Sequence, residues 1–401
     1  MAIDARSPPR LIGQRINRAL GGRAGGKGIA VQLLLVLLIV WIGYEVVDNV
    51  RANLQAQRIA SGFGFMSNTA GFGVSQALIP YSESDTYTRV FVVGVLNTLL
   101  VAIVGIVFAT ILGFLVGLGR LSPNWLLSRL AGAYVEVIRN LPLLFQILFW
   151  YLAVLGTLPS PRQSLSLFGF AFLSNRGIVV PKPVPAEGFT PFLIALAVAI
   201  IGSLVARSYA RREHLSSGRV LTVWPYALGA IVLLPLFAVL VFGRPVTFDV
   251  PELRGFNFAG GARLIPEFAA LTLALSTYTA GFIAEIVRAG VEAVPKGQME
   301  AGASLGLSRG QVLRLVVVPQ AMRVILPPLT NQYLNLTKNS SLAVAIGYPD
   351  LFSVFAGTTL SQTGQAIEII AITMGVYLTI SLVTSAIMGF YNWRIVRSLE
   401  R

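Results

Sequence analysis

The chain contains no cysteine. Disulfide staples, thiolate metal sites and cysteine nucleophiles are thereby excluded. It has a single histidine, His214, within Arg211-Arg212-Glu213-His214. That setting reads as a solvated basic loop and not as a metal ligand. Charge is scarce: 12% of residues are Asp, Glu, Lys or Arg, against about 25% in soluble domains. What is abundant is apolar side chain, at 55%. A chain this apolar and this poor in charge is a polytopic membrane protein. Its 401 residues leave room for several spans of about 20 residues each.

Eight spans are expected, over residues 29–47, 90–118, 137–158, 191–206, 224–243, 266–287, 324–346 and 366–393. The seventh is interrupted by Pro327, Pro328 and Lys338. The first is too long for a signal peptide and lacks a convincing small-residue cleavage site. A net charge of +14 invites a nucleic-acid reading. The basic residues sit in the gaps between apolar runs, however, which is the signal of membrane orientation. With the N-terminus inside, the cytoplasmic gaps hold 21 Lys and Arg and the opposite gaps hold 9, Lys338 completing the 31. Both termini are therefore expected in the cytoplasm.

The chain divides into a basic tail (1–28), a first span with an external, periplasmic loop (29–87), and a main body (88–396). Within the body, 159–190 is rich in Pro, Gly and Ser and reads as an external loop. It opens a stretch, 159–265, that reads as an insertion carrying two extra spans. Gly21-Gly22-Arg23-Ala24-Gly25-Gly26-Lys27 fits G-x-x-x-x-G-K, but Gly28 stands where magnesium needs Ser or Thr, and no strand precedes it. It reads as a solvated linker beside an anionic leaflet. A weak internal echo joins Val135-Glu136-Val137-Ile138-Arg139 to Ala284-Glu285-Ile286-Val287-Arg288. Each places a carboxylate and a guanidinium at i and i+3, where they can pair. The pairs Glu136–Arg139 and Glu285–Arg288 are read as interfacial ion pairs or as a gate.

Residues 285–323 are too polar to span and too patterned for a loose loop. Pro295 can open a helix, running from Lys296 to Leu305. Gly306 fits a left-handed cap that ends it. Ser308 and Gln311 have capping-box spacing for a second helix, Arg309 to about Val318, closed by Pro319. Two readings fit this segment: an amphipathic connector lying in the interface, and a handle for a partner at the membrane surface.

The spacing in Glu300-Ala301-Gly302-Ala303-Ser304-Leu305-Gly306, followed after nine residues by Val316-Val317-Val318-Pro319, resembles the coupling-loop signature of membrane subunits of bacterial ABC importers. Gly302 stands where the signature more often has Ala. The flanks Tyr278-Thr279-Ala280-Gly281-Phe282, Glu136-Val137-Ile138-Arg139-Asn140-Leu141-Pro142 and Lys338-Asn339-Ser340-Ser341-Leu342 resemble the polar-amino-acid branch. The likeness covers roughly 88–155 and 266–396. The extra first span and the insertion depart from short five-span members and resemble the larger permease subunits of general L-amino-acid importers.

The resemblance implies an all-α type I importer permease fold of about eight transmembrane helices, with the body 88–396 as permease domain and 295–319 as coupling loop. It implies a second homologous permease subunit, two ATP-binding subunits and a periplasmic binding protein. It implies a site in the bacterial inner membrane. ATP and Mg would be bound by the partner ATPase; this chain would bind no cofactor or metal and would not be an enzyme. Glu300, Ala301, Gly302, Gly306 and Pro319 would serve ATPase coupling, Glu300 through a charge-assisted hydrogen bond. Lys338, a cation within a span beside Asn339 and Ser340, is read either as part of a substrate pathway or as a structural ion pair or hydrogen bond to neighbouring helices. Asn97, Thr98, Ser276, Thr277 and Tyr278 can line the same cavity or bond helix to helix.

Two rivals remain from the residues alone. An ion-driven secondary transporter fits the spans and Lys338 but leaves the coupling segment unexplained, and its coupling carboxylate would have to be Glu368, near a span end. A membrane-embedded enzyme is poorly served by one loop histidine and no cysteine.

Overall fold

A computed structural model of the chain describes residues 26–56, 62–219 and 221–399. Most of the basic tail and of the Gly21–Lys27 run lies outside the described residues. Among the described residues, seven helices are long and apolar enough to cross a membrane, with an eighth span if one bent pair counts as a single crossing. The helices are α1 (Gly26–Ala56), α2 (Tyr87–Arg120), α3 (Trp125–Asn140), α4 (Leu143–Leu155), α5 (Phe189–Ser217) and α6 (Trp224–Phe242). They continue with α7 (Pro266–Glu292), α8 (Lys296–Ser304), α9 (Arg309–Ile346), α10 (352–363) and α11 (Ala366–Leu399).

The core forms where α2 packs on α7, with α3, α4 and α9 closing around them. Lipid tails are as apolar as leucine, so membrane helices gain by close backbone approach and not by expelling water. Gly113 and Gly117, four residues apart on α2, provide that approach. A Cβ at Gly117 would lie 2.8 Å from Val287 Cβ and 2.9 Å from the Ala284 carbonyl oxygen. At Gly113 it would lie 2.6 Å from Ile283 Cβ. Leu271, Leu275 and Ile283 of α7 are fully buried. A second apolar cluster joins Phe65, Tyr87 and Val90 to Leu351, Phe355 and Ile369 at the far end of α2.

The third expected span is not one helix. The chain turns by 107° between α3 and α4. Pro142 disfavours helical backbone at the residue before it, and Leu141 is extended (φ −97°, ψ 132°). Gln146 heals the break by donating from Nε2 to the Ile138 carbonyl (3.0 Å) and the Leu141 carbonyl (3.1 Å).

The seventh expected span, 324–346, is also longer than its apolar stretch. It runs continuously from Arg309, so the expected second short rod and the span are one helix. Pro319 therefore does not close a unit; it sits in the first turn of the segment Val318–Asn339. A π turn over Leu313–Val317 precedes it. Wider turns of this kind accommodate irregular backbone pairing, which lets a residue without an N–H pass inside the helix.

The expected loop at 159–190 is structured. It carries strands β1 (Leu165–Leu167), β2 (Ala171–Ser174), β3 (Gly177–Val180) and β4 (Lys182–Pro185). Four more strands follow α6: β5 (Val246–Asp249), β6 (Glu252–Arg254), β7 (Asn257–Ala259) and β8 (Ala262–Leu264). An antiparallel sheet of order β1-β2-β3-β8 joins the two sides, with Ile178 opposite Leu264. β4 pairs with β5, Lys182 opposite Asp249, so the α5–α6 hairpin springs from a two-stranded base.

Candidate functional site

The segment after α7 is built by local capping. α8 starts at Lys296, with Pro295 as the flanking cap and not the first helical residue. At its other end Gly306 adopts φ +77°. The Gly306 N–H donates to the Ala303 carbonyl (2.9 Å) and the Leu307 N–H to the Gly302 carbonyl (3.3 Å). This pair of bonds is the Schellman closure, which needs a left-handed residue at that position. No atom lies within 4 Å of a Cβ built on Gly306, so conformation alone demands glycine there. α9 then begins with a complete capping box. The Ser308 N–H donates to Gln311 Oε1 (2.8 Å), and the Gln311 N–H donates to Ser308 Oγ (3.4 Å).

Gly302 is buried because Val312 of α9 rests on it; a Cβ there would meet Val312 Cγ2 at 3.0 Å. The departure from Ala thus has a packing reason, and it clamps α8 to the start of α9. Glu300, Ala301 and Gly306 are exposed, and Leu305 at the turn is 81% exposed. The turn therefore offers a carboxylate beside an apolar tip on a rigid base.

The two echo sequences meet in space. α3 lies against α7, and Arg120, Glu136, Arg139, Asn140, Phe282 and Glu285 surround a polar pocket of about 400 Å³. Glu285 pairs with Arg288 (2.5 Å) and with Arg120 of α2, and Arg288 also reaches Glu292 (2.5 Å). The expected Glu136–Arg139 pair does not form. Arg139 lies instead over the Phe282 ring, 5.1 Å from its centre. Tertiary packing supplies an aromatic face there, and a cation over such a face gains without the cost of fixing two long side chains.

The expected pathway residues do not gather around one cavity. Asn97 is fully buried; its Nδ2 donates to the Gln76 and Pro349 carbonyls, both at 2.8 Å. Thr98 donates to the Gly94 carbonyl and accepts from the Leu351 N–H at 3.0 Å. These two residues staple α2 to the connector between α9 and α10. Ser276 is buried against the Gly105 carbonyl (3.4 Å), while the Thr277 hydroxyl bonds to the Leu273 carbonyl of its own helix (2.7 Å). Tyr278 packs on Phe282, ring centres 5.0 Å apart. Ser340 is buried and donates to the Thr337 carbonyl (2.7 Å), and Asn339 beside it is half-buried.

Lys338 is different. It is exposed and forms no ion pair among the described residues. With Ser341, Thr373, Tyr377 and Ser381 it lines an open, mainly apolar pocket of about 430 Å³ between α9, α10 and α11.

Sequence reasoning missed Asp350, the fully buried carboxylate of this region. Its Oδ1 accepts from the Ser353 N–H (2.8 Å) and its Oδ2 from the Tyr377 hydroxyl (3.2 Å). The available signal was an Asp directly before an apolar helical run, which marks a helix start. Glu368 lies in the first turn of α11 and accepts from the Gly62 N–H (2.5 Å).

Known proteins bear on this arrangement. The family described as "Binding-protein-dependent transport system inner membrane component" matches residues 199–397. The Escherichia coli strain K12 protein named "Putative amino-acid ABC transporter permease protein YhdX" is 56% identical, over 91% of this chain and 93% of its own length. The general L-amino acid transport system permease protein AapQ of Rhizobium johnstonii is 52% identical, over 91% of each chain. The glutamate/glutamine/aspartate/asparagine transport system permease protein BztB of Rhodobacter capsulatus is 39% identical, over 91% of this chain and 93% of its own. An ion-gradient carrier and a membrane enzyme are both set aside by these likenesses. The chain belongs to the amino-acid ABC transporter permeases, the multi-pass membrane components of binding-protein-dependent transport systems.

Proposed function

We propose that this chain carries L-amino acids across the bacterial inner membrane as the larger permease of a heterodimer. A binding protein delivers cargo at the face bearing the strands, and two ATPase subunits drive the cycle from the opposite, cytoplasmic face. Both termini lie on that cytoplasmic face. The names of the relatives support the substrate class, and the added strands and hairpin at 159–265 favour a non-identical partner.

The observation that carries the coupling reading is the doubly capped turn at 296–312. Its exposed Glu300 and Leu305 stand on a base locked by Gly302 against Val312. A partner cleft gripping this turn moves the start of α9. Because α9 is continuous, the movement reaches Lys338, 29 residues further on, about 40 Å at 1.5 Å per residue. Such a change is a rigid-body tilt biased by the nucleotide state of the partner. ATP and Mg belong to that partner. The Arg120–Glu285–Arg288 cluster ties α2 to α7 near the same face and serves as the latch of the inner gate. Lys338, in its open pocket, offers an ammonium group to the carboxylate that all amino acids share.

Uptake of labelled L-amino acids, with the full transporter reconstituted, tests this. Gly306→Val and Glu300→Lys are expected to abolish ATP-driven uptake while the subunit still inserts. Lys338→Ala is expected to weaken uptake and shift selectivity. Normal uptake by the first two variants would remove the coupling reading, and unaltered selectivity in the third would remove the pathway role.

A further inference from the structure

A second cavity lies outside the site described above. It is a groove of about 910 Å³ between α5 and α6. Its walls are apolar, with Ile200 and Leu204 on one side and Leu228 on the other. Ser203 also lines it but makes no polar demand, since its hydroxyl already donates to the Ala199 carbonyl (2.7 Å). Arg207 enters from α5 and Trp224 stands at the mouth on α6. From Ile200 to Ala210 the groove follows about 15 Å of helix, the depth of about one leaflet of a 30 Å hydrocarbon core.

Charge at this end of the hairpin is predominantly positive. Arg207 is followed by Arg211, Arg212 and Arg219, and Glu213 is the sole carboxylate in residues 203–223. That carboxylate is engaged by the Ser217 hydroxyl (3.0 Å). Tyr209, Trp224 and Tyr226 are exposed at the same level, as aromatic side chains are where hydrocarbon meets headgroups. α5 and α7 each begin beside a strand, α5 after β4 and α7 after β8, and each is long and apolar enough to cross the membrane once. The basic end therefore lies on the membrane face that carries the α8 turn.

We infer that this groove binds an anionic phospholipid, its acyl chain laid between α5 and α6 and its phosphate held at Arg207. An apolar helix of a neighbouring subunit would cover the walls without a use for the arginines. An anionic headgroup uses both features at once. The guanidinium is the side chain whose planar fork suits phosphate oxygens. The occupant is thus a lipid of the cytoplasmic leaflet, retained by charge and not by apolar contact alone.

Native mass spectrometry of the full chain, released from mixed vesicles of phosphatidylcholine and phosphatidylglycerol, tests the inference. Wild type is expected to retain phosphatidylglycerol in preference to phosphatidylcholine. Arg207→Gln is expected to lower that retention about fivefold, and Arg207→Gln with Arg211→Gln about twenty-fivefold. Arg207→Lys should keep most of it. Ala227→Trp, which fills the groove and leaves every arginine in place, should lower retention of both lipids. Thermal unfolding identifies any variant that has lost its fold. Equal retention of the two lipids by wild type would overturn the proposal, as would unchanged retention in Arg207→Gln. A protein neighbour would be exposed by Ala210→Cys, the only thiol in the chain. Crosslinking of that thiol to another subunit, with no lipid retained, would also overturn it.

Discussion

The α2–α7 pair and the α5–α6 pair are both made of long apolar helices, and they are packed in opposite ways. α7 buries Leu271, Leu275 and Ile283 completely, and α2 presses glycines onto its backbone. Along α5 and α6 only Ala199, Pro235 and Ala238 are buried. Each of these two helices has a glycine in its middle, Gly202 and Gly229, and neither has an atom within 4 Å of where a Cβ would stand. Hydropathy does not separate the two pairs, because a bilayer solvates leucine as well as another helix does. Packing separates them: small residues matter in a membrane helix only where a second backbone arrives. The core pair is locked backbone to backbone, and the outer pair is left uncovered by the rest of the chain.

The largest effect is expected from breaking the tight pair. Gly117→Leu places a branched side chain where even a Cβ meets the Ala284 carbonyl oxygen at 2.9 Å. Overpacking of this kind costs about 3 kcal/mol. Thermal unfolding of the purified chain in detergent reads the loss, and an unshifted midpoint would show that α2 and α7 can separate freely.

A smaller effect is expected at the staple between α2 and the α9–α10 connector. Asn97→Leu leaves the Gln76 and Pro349 carbonyls without their donor, at about 2 kcal/mol for buried groups left unpaired. The same measurement tests it, and a cost below that of an exposed substitution would mean water satisfies both carbonyls.

The smallest effect sharpens the contrast from the other side. Gly229→Leu in α6 adds the same side chain as Gly117→Leu but points into open space. It should change stability by no more than about 0.5 kcal/mol. A large loss there would mean that α6 has a close protein neighbour.

How far these features could be read from residues alone depended on the range of the interaction. The α8 turn was legible because its determinants are neighbours: the Gly306 N–H bonds the Ala303 carbonyl three residues back, the Leu307 N–H bonds the Gly302 carbonyl five back, and Ser308 and Gln311 cap each other. The apolar helices were legible for the same reason, each being a run of adjacent residues. The strands were not. Each has three or four residues, and Ile178 meets its partner Leu264 only after two long helices intervene. The turn at Pro142 carried a local signal, but apolar residues continue across it and concealed the break. Glu136 and Arg139 had the right spacing to pair, yet Phe282, far away in the chain, offered Arg139 the better surface.

The amino-acid sequence alone therefore set the membrane class, the helical content and the capped turn that the family signature marks. These follow from hydropathy and hydrogen bonds between near neighbours, which a single segment decides. Only the tertiary structure decided which helices are buried within the chain and which stand exposed. It also decided that α9 is one continuous lever, that Asp350 is buried, and that Lys338 stands open while Asn97 and Thr98 are consumed as staples. Those outcomes depend on which backbone arrives beside which. In a bilayer no difference in apolar solvation announces that choice beforehand.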